Sequence, residues 1–157
     1  MPNIYYPRIS DLITLDQIPE SLGFVQNISQ LLFNKIYYKD YQVSSSPLGD
    51  NAFYSLSIVS RERIGFNFSE DQLMEILRKN DITEEAINIK KYAGRTSLIQ
   101  TIVDPNGIKK FKPVQLLIDD ISGKILIDIS TYSKDLYGEE QFNRDFNKIL
   151  IERTKKR

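Results

Sequence analysis

Three aspartates stand beside one predicted turn, and they come nearest to forming a chemical site. Asp119 and Asp120 precede the turn at Ser122 and Gly123, and Asp128 follows it. Two carboxylates brought together can divide acid and base roles or hold Mg²⁺ through oxygen ligands. Acids beside tight turns are more often turn formers whose side chains accept hydrogen bonds from nearby amides. We therefore predict a structural role for them and assign no catalytic residue.

The sequence lacks the residues that other common catalytic and metal-binding chemistries require. The chain has no histidine and no cysteine, which removes the serine–histidine–aspartate triad, thiolate catalysis and the usual zinc ligands. No two of its seven glycines are closer than 13 residues, so neither a dinucleotide-binding loop nor a phosphate-binding P-loop can be formed. The sequence predicts a non-enzymatic protein with no cofactor and no metal.

Aromatic and basic residues point instead to protein binding. Tyrosine, which provides a large contact area at low entropic cost, is concentrated in the first 54 positions. Residues 90–112 hold six bases and one acid. The predicted partner-binding residues are Ile4, Tyr5, Tyr6, Tyr37, Tyr41, Lys109, Lys110 and Lys112. The alternative is that most of the tyrosines line the sheet, and that the lysines form a solvated face.

The overall charge argues against nucleic acid as the partner. Lysine and arginine number 21, as do aspartate and glutamate, so the chain lacks the basic field that binds a phosphate backbone. The N-terminus has no basic stretch followed by an apolar one, and no apolar run approaches the roughly 20 residues of a membrane span. We expect a soluble protein, in the cytoplasm or in a particle assembled there.

Helical periodicity appears in three places. Ile28, Leu31 and Leu32 predict a short helix near 25–34. Ser69 and Gln72 have the capping-box spacing at the start of a helix that ends near residue 80 and is followed by a second helical start at 83–87. A third amphipathic helix follows Gly138.

Alternating apolar residues predict two groups of strands. Residues 35–43 and 54–58 form an antiparallel hairpin, with the turn-forming residues 44–51 between them. Residues 98–103, 108–119 and 124–131 form a three-stranded meander, whose first turn is Asp104-Pro105-Asn106-Gly107 with glycine free to adopt positive φ.

The order of these elements predicts an α+β fold, in which an antiparallel sheet carries two to four helices mainly on one side. Prolines and Gly23 interrupt residues 1–24, which we predict to be an irregular arm preceding a single domain at 25–157. Ile4, Tyr5, Tyr6, Ile9, Leu12 and Ile13 give this arm more apolar surface than a free tail should expose.

The expected function is accordingly a structural or protein-binding subunit of a multi-protein assembly, for example of a virion, a tail or an injection apparatus. A homo-oligomer is compatible with this expectation. An immunity-type inhibitor that masks a partner's active site is the alternative. An enzyme that uses only carboxylates, lysine or tyrosine is the third and weakest.

Overall fold

The computed structural model describes residues 11–34, 38–48, 53–64, 68–83, 85–133 and 138–155. The helices are α1 (Ile18–Phe33), α2 (Glu70–Lys79) and α3 (Glu139–Lys155). The strands are β1 (Ile13–Thr14), β2 (Tyr41–Pro47), β3 (Phe53–Ser60), β4 (Ile87–Tyr92), β5 (Arg95–Val103), β6 (Lys109–Asp119) and β7 (Ile125–Tyr132). The predicted residues Ile4, Tyr5, Tyr6 and Tyr37 lie outside the described ranges.

The strands form one sheet in the order β2-β3-β7-β6-β5-β4, and all these neighbours are antiparallel. β1 adds a short parallel pairing to the end of β7, where Ile13 lies opposite Thr131. The predicted α+β class, with a hairpin, a meander and helices on one side of the sheet, is confirmed.

Alternation along the strands separates a covered face from an open face. In β3 and β7 every second side chain is buried, and those between them are half-exposed. The helices cover the buried side, where Phe142 and Phe146 of α3 are almost completely buried and the Tyr54 ring stacks on that of Phe142 with 3.8 Å between centroids. Leu73 and Leu77 of α2 and Leu22 of α1 are buried there as well.

α2 begins as its sequence predicts. The Ser69 hydroxyl accepts a hydrogen bond from the Gln72 amide at 3.2 Å, and the Gln72 side chain accepts one from the Ser69 amide at 2.8 Å. Asn80 caps its other end. The second helical segment predicted at 83–87 is wrong. Residues 85 and 86 form a turn, and residues 87–92 form strand β4, because pairing with β5 outweighs the local helical signal.

The expectation of irregular chain up to residue 24 is wrong for the part that the structure describes. α1 starts at Ile18 rather than near residue 25, and Pro19 lies in its first turn, where the missing amide costs no helical hydrogen bond. Ile13 is buried, and its carbonyl accepts a hydrogen bond from the Thr131 hydroxyl at 2.6 Å. The end of the predicted arm is therefore part of the sheet.

Candidate functional site

The hairpin of β5 and β6 extends beyond the rest of the sheet. β6 pairs with β7 only over Val114–Ile118 among the described residues, so its first residues pair with β5 alone. Between the Ile99–Gln115 and Thr101–Phe111 pairs, β6 has two more residues than β5, and this bulge contains Pro113. Bulges of this kind bend a strand and increase its twist, and this one lies where the hairpin passes beyond its pairing with β4 and β7.

Three aliphatic side chains are exposed at this end, which we call the hairpin tip (residues 101–111). Val103 is 60% exposed, Ile108 57% and Ile102 42%. Lys109 pairs with Val103 across the two strands and Lys110 with Ile102, and both lysines are exposed. Since consecutive strand residues alternate in direction, the two pairs lie on opposite faces of the hairpin, and each face has one exposed aliphatic and one cationic side chain.

The Asp104 carboxylate holds the turn of the tip in one conformation. Its Oδ1 atom accepts hydrogen bonds from the Asn106 amide at 2.9 Å and the Ile108 amide at 2.8 Å. Gly107 has a φ of +81°, the left-handed conformation that the sequence predicts for this turn. The Lys110 ammonium lies 4.0 Å from the Asp104 carboxylate. The exposed side chains are therefore presented by an ordered turn.

Lys112 is separate from the other two predicted lysines. It lies in the β6 bulge and lines a pocket of about 120 Å³ on the open face, together with Ser55, Gln115, Asp128 and Ser130. Asp128 accepts a hydrogen bond from the Ser57 hydroxyl at 2.9 Å, and Gln115 donates one to Ser97 at 2.6 Å. Burial raises the pKa of Asp128, an effect that the Ser57 hydrogen bond partly offsets.

The other two aspartates have structural roles. The Asp119 carboxylate accepts hydrogen bonds from the Ile121 and Ser122 amides, and these bonds lower its pKa. Asp120 pairs with the Lys91 ammonium at 3.3 Å. Asp128 lies opposite Gln115, four residues along β6 from Asp119, so the structure does not bring these carboxylates together. Among the described residues, no group of three acids could hold a metal ion.

A second surface lies at the β2 edge of the sheet. Tyr41 and Val43 of β2 and Leu150 and Ile151 of α3 line a groove of about 450 Å³. Val43 is 37% exposed and Ile151 54%, whereas Tyr41 is only 6% exposed and belongs to the core. Burial raises the pKa of the Tyr41 phenol, and the negative charge of Asp40 raises it further.

Sequence reasoning missed the aliphatic residues of both surfaces. Ile102 and Val103 are consecutive, so they cannot both face the core from one strand, and Ile108 follows directly on the predicted turn. That arrangement was the available signal for exposure at the hairpin tip. No comparable local signal marks Val43 and Ile151, which are distant in sequence and meet only in the fold.

Comparison with known proteins adds no relative: no family model, curated protein or solved structure matches the chain. None of the helices in the described residues has the length and apolar character required to cross a membrane.

Proposed function

We propose that the protein is a non-enzymatic binding subunit of a multi-protein assembly and that it contacts its partner through the hairpin tip. The observation that carries this proposal is the exposure of Ile102, Val103 and Ile108 together at the end of a projecting hairpin. Exposed aliphatic side chains gathered at the end of one hairpin are a candidate protein-binding site.

The chemistry of the tip defines the kind of partner. The aliphatic side chains require an apolar patch, and Lys109 and Lys110 favour carboxylates around it. The Asp104 hydrogen bonds hold the turn before any partner arrives, so little conformational entropy is lost on binding. A protein with an acidic rim around an apolar depression matches these features.

The aspartates support a binding protein over a carboxylate enzyme. Acid and base catalysis by two carboxylates requires both to face the same substrate. Asp119 is engaged by the turn and Asp120 by Lys91, while Asp128 lies farther along the sheet beside Ser57. Asp128 is thus a single carboxylate in a small polar pocket.

The test compares two variants of the affinity-tagged full chain recovered from its native host. Val103→Glu places a charge at the centre of the hairpin tip, whereas Ile121→Glu places one at the other meander turn, where Ile121 is 80% exposed. We expect the wild-type chain and Ile121→Glu to recover the same protein in a fixed ratio, with cross-links to Lys109 or Lys110. Val103→Glu should recover much less of it.

Equal recovery by Val103→Glu and Ile121→Glu would show that the hairpin tip is not the binding site. Recovery of a single enzyme in a 1:1 complex, with its activity blocked, would identify an inhibitor in place of an assembly subunit. Far-ultraviolet circular dichroism of each purified variant establishes that both are folded.

A further inference from the structure

The exposed side chains of the hairpin tip are divided by strand as well as by face. Ile102 and Val103 are consecutive residues of β5, so they point to opposite faces of the hairpin. Their cross-strand neighbours on β6, Lys110 and Lys109, do the same. Each face therefore has an aliphatic side chain along the β5 strand and a lysine along the β6 strand.

This arrangement differs from that of a strand with one solvated face. Where an antiparallel sheet buries one face and exposes the other to water, apolar and polar residues alternate, as at Ile127 and Asp128 of β7. Consecutive apolar residues are typical of a strand that is covered on both faces. Ile102 is nevertheless 42% exposed and Val103 60%, so the described part of the chain covers neither face of the tip.

The tip also lacks a neighbouring strand on either side among the described residues. β4 pairs with β5 only as far as Gln100, and β7 pairs with β6 only from Val114 onward. The exposed part begins after Thr101, which is buried, and ends at the turn of Asp104. At the usual rise of a strand, these three residues span roughly 10 Å.

The two lysines differ in their electrostatic surroundings. The Lys110 ammonium lies 4.0 Å from the Asp104 carboxylate, which offsets its charge on the Ile102 face. Within the described ranges, no acidic side chain forms an ion pair with Lys109. The Val103 face is therefore the more cationic of the two.

We infer that the partner receives the hairpin tip in a slot, with an apolar wall against each face and a carboxylate facing Lys109. This inference rests on the proposed binding role of the tip and adds the shape of the partner's site. A flat surface would cover one face only and leave either Ile102 or Val103 in water. A slot roughly 10 Å deep covers both, and the Asp104 hydrogen bonds preform the turn that enters it.

One variant on each face tests the slot, and the probe is the purified protein that the wild-type chain recovers from its host. Ile102→Glu and Val103→Glu should each raise the dissociation constant at least about tenfold, since each places a charge against an apolar wall. Ile121→Glu, at the other meander turn, should leave it unchanged. A benzophenone amino acid placed at position 102 or at position 103 should cross-link to two different segments of the same protein.

Weaker binding by only one of the two variants, or cross-links from one position alone, would indicate docking on a flat surface. That result would overturn the slot and leave the proposed function standing. Unchanged binding by both variants, or recovery of no protein in a fixed ratio by the wild type, would overturn the slot and the proposed function together. Far-ultraviolet circular dichroism establishes that each variant is folded.

Neutralisation of the two lysines tests the carboxylate. Lys109→Gln should slow association and reduce its dependence on salt, because it removes an attraction between unlike charges. Lys110→Gln should have a smaller effect, since Asp104 already offsets the charge of Lys110. Equal effects of the two variants, or no effect of Lys109→Gln, would overturn the placement of a carboxylate against the Val103 face.

Discussion

Adjacent rows of side chains on the two faces of the sheet have opposite chemistry. On the covered face, an apolar row crosses all six main strands and consists of Val43, Ile58, Ile127, Leu116, Leu98 and Ile89. One residue along each strand, the open face carries the row Ser44, Ser57, Asp128, Gln115, Ile99 and Asn88. Five of the six residues in this second row are polar.

The apolar row on the covered face determines the fold, whereas the polar row on the open face is free to vary. Apart from Val43 at the sheet edge, the covered row is shielded from water, and its central members, Ile58 and Ile127, are completely buried. The open row is held by side-chain hydrogen bonds such as that from Ser57 to Asp128, and the net contribution of such bonds to stability is modest. New binding properties can therefore arise on the open face and at the edges with little loss of stability.

Substitution at neighbouring positions of β7 gives the largest expected contrast between the faces. Ile127→Ala should lower the free energy of unfolding by about 2–5 kcal/mol, because it leaves a cavity at a completely buried position. Asp128→Ala should lower it by less than about 1 kcal/mol, since it removes one hydrogen bond at a half-exposed position. Urea unfolding followed by circular dichroism measures both. Equal losses would mean that the open face contributes to stability as much as the covered face.

The contrast between the faces could be predicted from the sequence because alternation is a local property. Ile125, Ile127 and Ile129 share one side of β7 in the structure as they do in the pattern. The capping box of α2 and the turn at Gly107 were predictable for the same reason, since each depends on four neighbouring residues.

Features that depend on distant contacts could not be predicted. β4 is a strand because it pairs with β5, whereas the residues that precede it have a helical pattern and predict a helix. The hairpin tip extends beyond the described pairings of β4 and β7, and its bulge is defined only by the register of β5 and β6. The β2 groove requires α3 to lie beside a strand about 100 residues earlier in the chain, as the Ser45–Asn143 contact shows.

A smaller effect tests how far the covered face depends on its helices. Ser69→Ala removes the side-chain acceptor for the Gln72 amide and should lower the free energy of unfolding by roughly 0.5–2 kcal/mol. Ser69→Asp keeps an acceptor at the same position and should retain most of the stability. Chemical denaturation of the two variants beside the wild type measures this. If alanine and aspartate were indistinguishable from the wild type, the cap would not contribute to holding α2 on the sheet.

The smallest expected effect concerns the open face alone and is read from the sign of a pH dependence. Burial raises the pKa of Asp128 in the folded protein, so the folded state retains this proton to a higher pH than the unfolded state does. The contribution of Asp128 to the free energy of unfolding is therefore most favourable below the ordinary aspartate pKa of about 3.9. It declines as the pH rises from there through the pKa of Asp128 in the folded protein.

Asp128→Asn removes this titration while keeping an acceptor for the Ser57 hydroxyl. Its stability relative to the wild type should therefore increase as the pH is raised across that window.

Asp119→Asn is the matched control with the opposite sign, because amide hydrogen bonds lower the pKa of Asp119 and stabilise its charged form. Relative to the wild type, Asp119→Asn should lose stability as the pH rises from below the lowered folded pKa to above about 3.9. Urea unfolding at several acidic pH values and at neutral pH distinguishes the two cases. If the free energies of unfolding of both variants changed with pH in the same direction, hydrogen bonds would stabilise the charged form of Asp128 as they do that of Asp119. The open face would then not desolvate the Asp128 carboxylate.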